Sequence, residues 1–321
     1  MLWEPAIYEH KAALIKESVG EVARSAELLT RAVLEERKIY RSDLITVGVD
    51  VYNIEAEACG AEVVPGAPSE CPEIRERMWH IDDLPTEPEL PRIPDAGRCP
   101  MMLTAGQKVQ DAIGGECEVR LAASGPVSIA AKLVGTQDLI TALALGGDNA
   151  GHLLEFTTRL ATTWCRAIRE AGLNVIIFDS AASPPIISPA MYASEIKPLH
   201  ARLMKELAGA GQQKRGLIIG GDTVPILGDL ADTDATMLIC DYASDATAFA
   251  EALPRGARLQ VRRNVDPSLF LSKGPSLDEA AEELARDLAL FRQPIAGTGV
   301  LPYGAVPERF SRFRRKVEQR L

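Results

Sequence analysis

Short apolar runs that end in a carboxylate recur along this chain, and each is followed by a stretch with helical spacing. LITVGVD closes on Asp50, NVIIFDS contains Asp179, LIIGGD closes on Asp222 and MLICD closes on Asp241. Runs of this length bounded by turn residues read as buried strands. With the similar segments elsewhere they predict strands at Pro5–Glu9, Leu44–Asp50, Cys117–Ala123, Asn174–Ser180, Leu217–Asp222, Met237–Asp241, Arg258–Asn264 and Pro294–Val300. Between them, Ser18–Lys38 places Val19, Val22, Ala23, Leu28, Leu29, Val33 and Leu34 on the spacing of one helix face. Asn149–Gly172 and Ser188–Gly209 each stop at a glycine, and the second opens with Ser-Pro. Ser276 and Glu279 have the spacing of a capping box opening a helix over Ser276–Gln293. Phe310, Phe313, Val317 and Leu321 predict a closing amphipathic helix over Val306–Leu321.

Strands alternating with helices in this way predict one α/β domain across residues 1–321, a (β/α)₈ barrel. The C-terminal ends of barrel strands meet on one face, so Asp50, Asp179, Asp222 and Asp241 are expected around a single cavity there. One interval breaks the pattern. Residues 60–102 hold eight prolines and little periodicity, which predicts a long excursion over that face, of the kind that forms lids and binding loops.

Composition narrows the function classes. A 321-residue chain with 46% hydrophobic content buries a large core. Its net charge of −10 argues against nucleic acid, which rewards clustered Lys and Arg. No apolar stretch reaches the roughly 18 residues of a membrane span, and MLWEPAIYEHK lacks the order of a signal peptide. A cytoplasmic protein without a membrane partner is the expectation. Cys59, Cys71, Cys99, Cys117, Cys165 and Cys240 form no CxxC pair, and reduced, mostly buried thiols are expected.

The strand-end residues carry the candidate chemistry. Asp50, Asp179 and Asp222 are candidate catalytic carboxylates, each able instead to cap the turn that follows it. His10, just past the first run, is a candidate acid, base or ligand at the mouth. Tyr52, Asn53, Glu55, Asp241, Tyr242 and Asn264 are candidate substrate-binding residues. Four unpaired carboxylates would repel strongly, so at least one is expected to be protonated, metal-bound or paired with His10 or Lys11. His80 falls in the excursion, while His152 and His200 fall on helices as packing or surface residues. No helical His/Glu spacing marks a metal site, and a hard metal held by His10 and carboxylates stays open.

Five ordered blocks carry a resemblance that covers nearly the whole chain. GPVSIAAKLVG, AGLNVIIFDSAASPPIISPAMY, LIIGGDTVPIL, VRRNVDPSLFL and GTGVLPYGAVPERF resemble the uroporphyrinogen decarboxylase superfamily, and EHKAALIKES and VDVYNIEAEACG resemble its corrinoid-dependent methyltransferase branch. The resemblance implies a (β/α)₈ barrel working with a cobalamin-binding corrinoid protein. Thiol-activating members carry His-x-Cys-Gly and Gly-Cys zinc ligands where this chain has Ile218, Gly220 and Gly299, which cannot ligate metal. Uroporphyrinogen decarboxylase carries arginines near its first strand where this chain has IYEHKAAL, with no arginine before Arg24. An acidic mouth is therefore expected, of the wrong sign for a polyanionic porphyrinogen. These departures favour a methyltransferase that moves methyl from a small methoxylated or methylated-amine donor to the corrinoid protein's cobalt. A lyase acting on a smaller substrate and a non-catalytic binding barrel are the alternatives.

Overall fold

The computed structural model describes residues 1–93, 95–184 and 186–321. Eight parallel strands form one sheet: β1 (Leu2–Glu4), β2 (Leu44–Val47), β3 (Glu118–Ser124), β4 (Asn174–Phe178), β5 (Gly216–Ile218), β6 (Met237–Cys240), β7 (Gln260–Val265) and β8 (Pro294–Thr298). The sheet runs β1-β8-β7-β6-β5-β4-β3-β2, so chain neighbours are sheet neighbours throughout. The remaining seam lies between β1 and β2. There the Asp43 N–H donates to the Trp3 carbonyl at 2.8 Å, and the Asp43 carboxylate accepts from the Trp3 N–H at 2.8 Å. The result is the expected (β/α)₈ barrel.

Strand alternation divides the apolar residues into two layers. Inside the barrel pack Leu44, Ala122, Ile176, Phe178, Ile218, Met237, Ile239 and Ile295. Between barrel and helices pack the opposite-parity residues, among them Ile45, Val47, Leu121, Val175, Ile177, Leu217 and Leu238. No single helix among the described residues is long and apolar enough to cross a membrane.

Two expectations shift. The first strand ends at Glu4 rather than covering Pro5–Glu9, because Pro5 has no N–H to continue a ladder. The predicted helix 18–38 is two helices, Val19–Val22 and Ala26–Tyr40. Ser18 and Glu21 complete a capping box on the first, and Ser25 accepts from the Leu28 N–H to start the second. Inside 60–102 the structure holds a two-residue-per-strand antiparallel ladder, Val63–Val64 with Glu73–Ile74, and the helix Cys99–Ile113 begins before the interval ends.

The closing helix, Pro307–Glu318, packs on Trp3 from outside the barrel. Phe310 and Phe313 approach the Trp3 ring edge-on at 5.7 and 6.4 Å, and the Arg314 guanidinium covers it at 5.3 Å. Trp3 is fully buried. Trp3→Ala is therefore expected to cost about 3–5 kcal/mol of unfolding free energy, read from urea denaturation midpoints.

Candidate active site

A cavity of about 740 Å³ opens at the C-terminal ends of the strands. A larger hollow of about 920 Å³ lies outside the barrel, between residues 84–90 and the helix Asp148–Glu170, and holds none of the strand-end carboxylates. The barrel cavity is lined by Tyr8, Glu9, Asp50, Tyr52, Asn53, Phe178, Ser180, Asp241, Tyr242, Arg262 and Asn264. Ile218, Gly220 and Gly299, where the resemblance places zinc ligands, line the same cavity and offer no ligating side-chain atom. Among the described residues, no group of three His, Cys, Asp or Glu side chains is placed to hold a metal ion. A resident zinc does not fit these residues.

Asp50 and Asp241 reach the cavity; Asp179 and Asp222 do not. Asp50 is buried, pairs with the Arg98 guanidinium at 2.7 Å and accepts from Asn53 Nδ2 at 3.0 Å. Asp241 accepts from the Gly221 N–H at 2.9 Å, the Tyr242 N–H at 3.0 Å and Asn264 Nδ2 at 3.0 Å. Tyr52 donates to Ser180 Oγ at 2.8 Å and stacks edge-on against Phe178. Burial pushes its phenol up to about 12, so it remains an O–H donor at neutral pH.

Asp179 follows the outward parity of Val175 and Ile177. Its carboxylate accepts from the Ser128 N–H at 2.6 Å and the Val127 N–H at 3.2 Å, at the start of the helix Pro126–Val134. His200 bonds it through Nε2 at 2.8 Å while Tyr192 OH bonds Nδ1 at 2.9 Å. This buried Tyr–His–Asp chain positions a helix against the barrel and does not line the barrel cavity. Gly125 is glycine because a Cβ there would lie 2.3 Å from Asp179 Oδ2. Asp222 is exposed and caps its own turn through the Val224 N–H at 3.2 Å.

His10 is not at the mouth either. Its Nδ1 bonds the Tyr303 carbonyl at 2.8 Å, which makes Nε2 the acceptor for the Tyr40 hydroxyl at 2.7 Å. Burial lowers its pKa, so both ring nitrogens are engaged in the neutral form. Lys11 pairs with Glu36 at 3.3 Å rather than with a strand-end aspartate. Glu55 points away from the cavity and accepts from the Ser124 N–H at 2.6 Å and Ser124 Oγ at 2.7 Å.

The cavity also holds residues that the motif analysis left aside. Glu9 is half-buried at its wall, and burial raises its carboxyl pKa. Arg262 forms part of its floor, and Lys132 reaches it from the helix Pro126–Val134. Glu9, Asp50, Glu70, Glu73 and Asp241 line the cavity against these two cations, so its lining carries more carboxylates than cations. Cys71 lines it too, with Sγ 3.2 Å from the Val49 carbonyl, and burial pushes this thiol up to about 12. It is a thiol rather than a thiolate. The excursion supplies Ser69–Glu73 as one wall. It is tied to the barrel by Asn53 Nδ2 donating to the Pro72 carbonyl at 2.7 Å.

The model of the uroporphyrinogen decarboxylase (URO-D) family matches residues 6–300. Two sequences named methylcobamide:CoM methyltransferase MtaA, both from Methanosarcina barkeri, are 26% identical to this chain over 222 and 223 residues. The matched stretch is 68% of this chain and 63% of those relatives, less than two thirds of their length. A structure described as a methyltransferase from Methanosarcina mazei superimposes with a TM-score of 0.85 over 99% of this chain and 92% of its own, at 19% identity. It shows the same fold.

Burial also gives the protein a pH signature outside the cavity. The folded state raises the Glu55 carboxyl to about 7 and that of Glu36 to about 7, both through desolvation. The folded protein thus keeps protons that the unfolded chain has already lost, and stability falls as pH rises from about 4.5 to about 7. Glu55→Gln, which retains the acceptor for Ser124, is expected to remove on the order of 1–3 kcal/mol of that fall. Urea unfolding at pH 5 and pH 8 measures it: the variant should gain on wild type at the higher pH.

Proposed function

Because the chain belongs to the uroporphyrinogen decarboxylase family, we propose that it is an enzyme of the corrinoid-dependent methyltransferase kind. In this reading it takes methyl from a small methoxylated or methylated-amine donor to the cobalt of a cobalamin-binding partner protein. The observation that carries it is the cavity wall at Ile218, Gly220 and Gly299. The positions where the resemblance places thiol-activating ligands face the site with no donor atom. The donor half-reaction needs no activated thiol.

The reduced corrinoid of the partner supplies the nucleophile in that half-reaction. Tyr242 and Val300, each 46% exposed, form an apolar rim that suits a flat macrocycle presented from outside. The chain's own task is to improve the leaving group. Glu9 has the environment of a general acid: it borders the cavity, and burial favours its protonated form. With a methyl ether, a proton held there passes to the departing oxygen as its bond to methyl breaks, whereas a methylated ammonium leaves as the neutral amine and takes no proton. Asp50, clamped by Arg98, and Asp241, held by three N–H groups, serve as fixed anions that orient the donor with Tyr52, Asn53, Tyr242 and Asn264. Asp179, Asp222 and His10 have no part in this reading, because none lines the cavity.

Mixing the protein with a reduced corrinoid protein and candidate donors, while following the corrinoid spectrum, tests the activity directly. With a methyl-ether donor, Glu9→Gln is expected to slow methyl transfer by about 10²-fold, as loss of a general acid does. Asp222→Asn should leave the rate within about twofold. A spectrum that stays unchanged with every donor overturns the methyltransferase reading, and an unaffected Glu9→Gln rate overturns the assignment of the acid.

A further inference from the structure

Resting on that reading and deepening it, we propose that Arg262 forms a carboxylate subsite on the cavity floor. The donor is then a small zwitterion with a carboxylate at one end and a methylated ammonium at the other. Arg262 and Asn264 lie two apart on β7 and share the inward face. Arg262 is 2% exposed, yet it lines the cavity. Its Nη1 donates to Glu4 Oε1 at 2.7 Å, while its Nε has no partner. Arg120 donates to the same Glu4 oxygen. One carboxylate therefore serves two guanidiniums, neither of which can lose its proton. A buried guanidinium that shares its direct carboxylate partner with a second guanidinium thus borders the cavity, with Asp241 as the next anion acting on it.

Space has been kept for this arrangement. A Cβ at Gly297 would lie 2.7 Å from Arg262 Cγ and 2.6 Å from Asn264 Oδ1, so only glycine lets both side chains cross the floor. Asn264 Oδ1 also lacks a protein partner and lies enclosed beside Gly297.

Charge is graded along the cavity axis. Arg262 is level with Ile239 in the sheet, two residues deeper than Asp241. Around the upper part stand Asp241 and the exposed Glu70 and Glu73, against Lys132 alone. Asp50 is already matched by Arg98. Carboxylates with the Tyr52 and Tyr242 rings make that end a site for a methylated ammonium. A zwitterion bound this way holds its carboxylate down on Arg262 and its methyl groups up at the open mouth, where the corrinoid partner would meet them.

Calorimetric titration without any corrinoid protein tests the subsite separately from the chemistry. Glycine betaine and N,N-dimethylglycine are the probes, with trimethylamine and acetate as half-ligands. A zwitterion should bind about tenfold or more tightly than either half-ligand. Arg262→Gln should erase that margin, and Arg262→Lys should restore part of it. Equal affinity for trimethylamine, or no zwitterion binding to the wild-type protein, overturns the subsite whether or not the variants fold. Tight zwitterion binding without methyl transfer to a corrinoid protein leaves the subsite standing and defeats only the methyltransferase reading. Transfer from a donor that lacks a carboxylate, with no zwitterion preference, does the reverse.

Discussion

Closing a parallel sheet into a barrel leaves each strand residue only two directions, and everything functional here follows from which one it takes. Even-numbered positions on β4, Ile176 and Phe178, fill the interior, while Val175 and Ile177 face the helices. Asp179 inherits the second direction and becomes a helix anchor. Asp241, which continues the parity of Met237 and Ile239, inherits the first and becomes a cavity wall. The aspartates that follow β4 and β6 thus do unrelated work. A single residue of register separates them.

Burial then decides the charge state of what remains. The interior takes a Glu4–Arg120–Arg262 cluster instead of an all-apolar layer. Such a cluster is costly to desolvate and is poor evidence for stability by itself. Its presence beneath the cavity makes better sense as part of a recognition surface than as a structural tie. The carboxylates nearer the mouth are matched one by one: Asp50 by Arg98, Asp241 by N–H donors, and Asp179 by a helix start and His200. Strong mutual repulsion among four aspartates never arises.

Much of this was readable in the amino-acid sequence. The strand and helix order, the barrel and the positions of Asp50, Tyr52, Asn53, Asp241, Tyr242 and Asn264 came from apolar runs, turn residues and family blocks. Alternation within NVIIFDS also contained the signal that Asp179 turns outward, since Phe178 and Asp179 cannot both face in. Long-range pairing was not readable. Nothing local in GRCPMML announces that Arg98 will reach back 48 residues to Asp50. Glu9 was expected at a strand end and does border the cavity, but nothing in IYEHKAAL singles it out from His10 beside it. Arg262 sat inside a motif valued for its asparagine, and its role emerges only once Glu4 and Gly297 are beside it.

The proline-rich excursion is anchored at points along its length rather than woven into the barrel. Met78 and Trp79 donate N–H groups to the Leu133 carbonyl at 2.9 and 3.1 Å, Asn149 Nδ2 donates to the Ile81 carbonyl at 3.0 Å, and Pro72 accepts from Asn53. Its Ser69–Glu73 portion nonetheless walls the cavity. One wall of the ligand cavity is thereby placed on a stretch of chain outside the barrel strands. A lineage can rewrite this one loop, changing its length or side chains, without disturbing strand register or the interior layers. The fold is free to acquire new substrates by editing a surface segment while its framework is inherited unchanged.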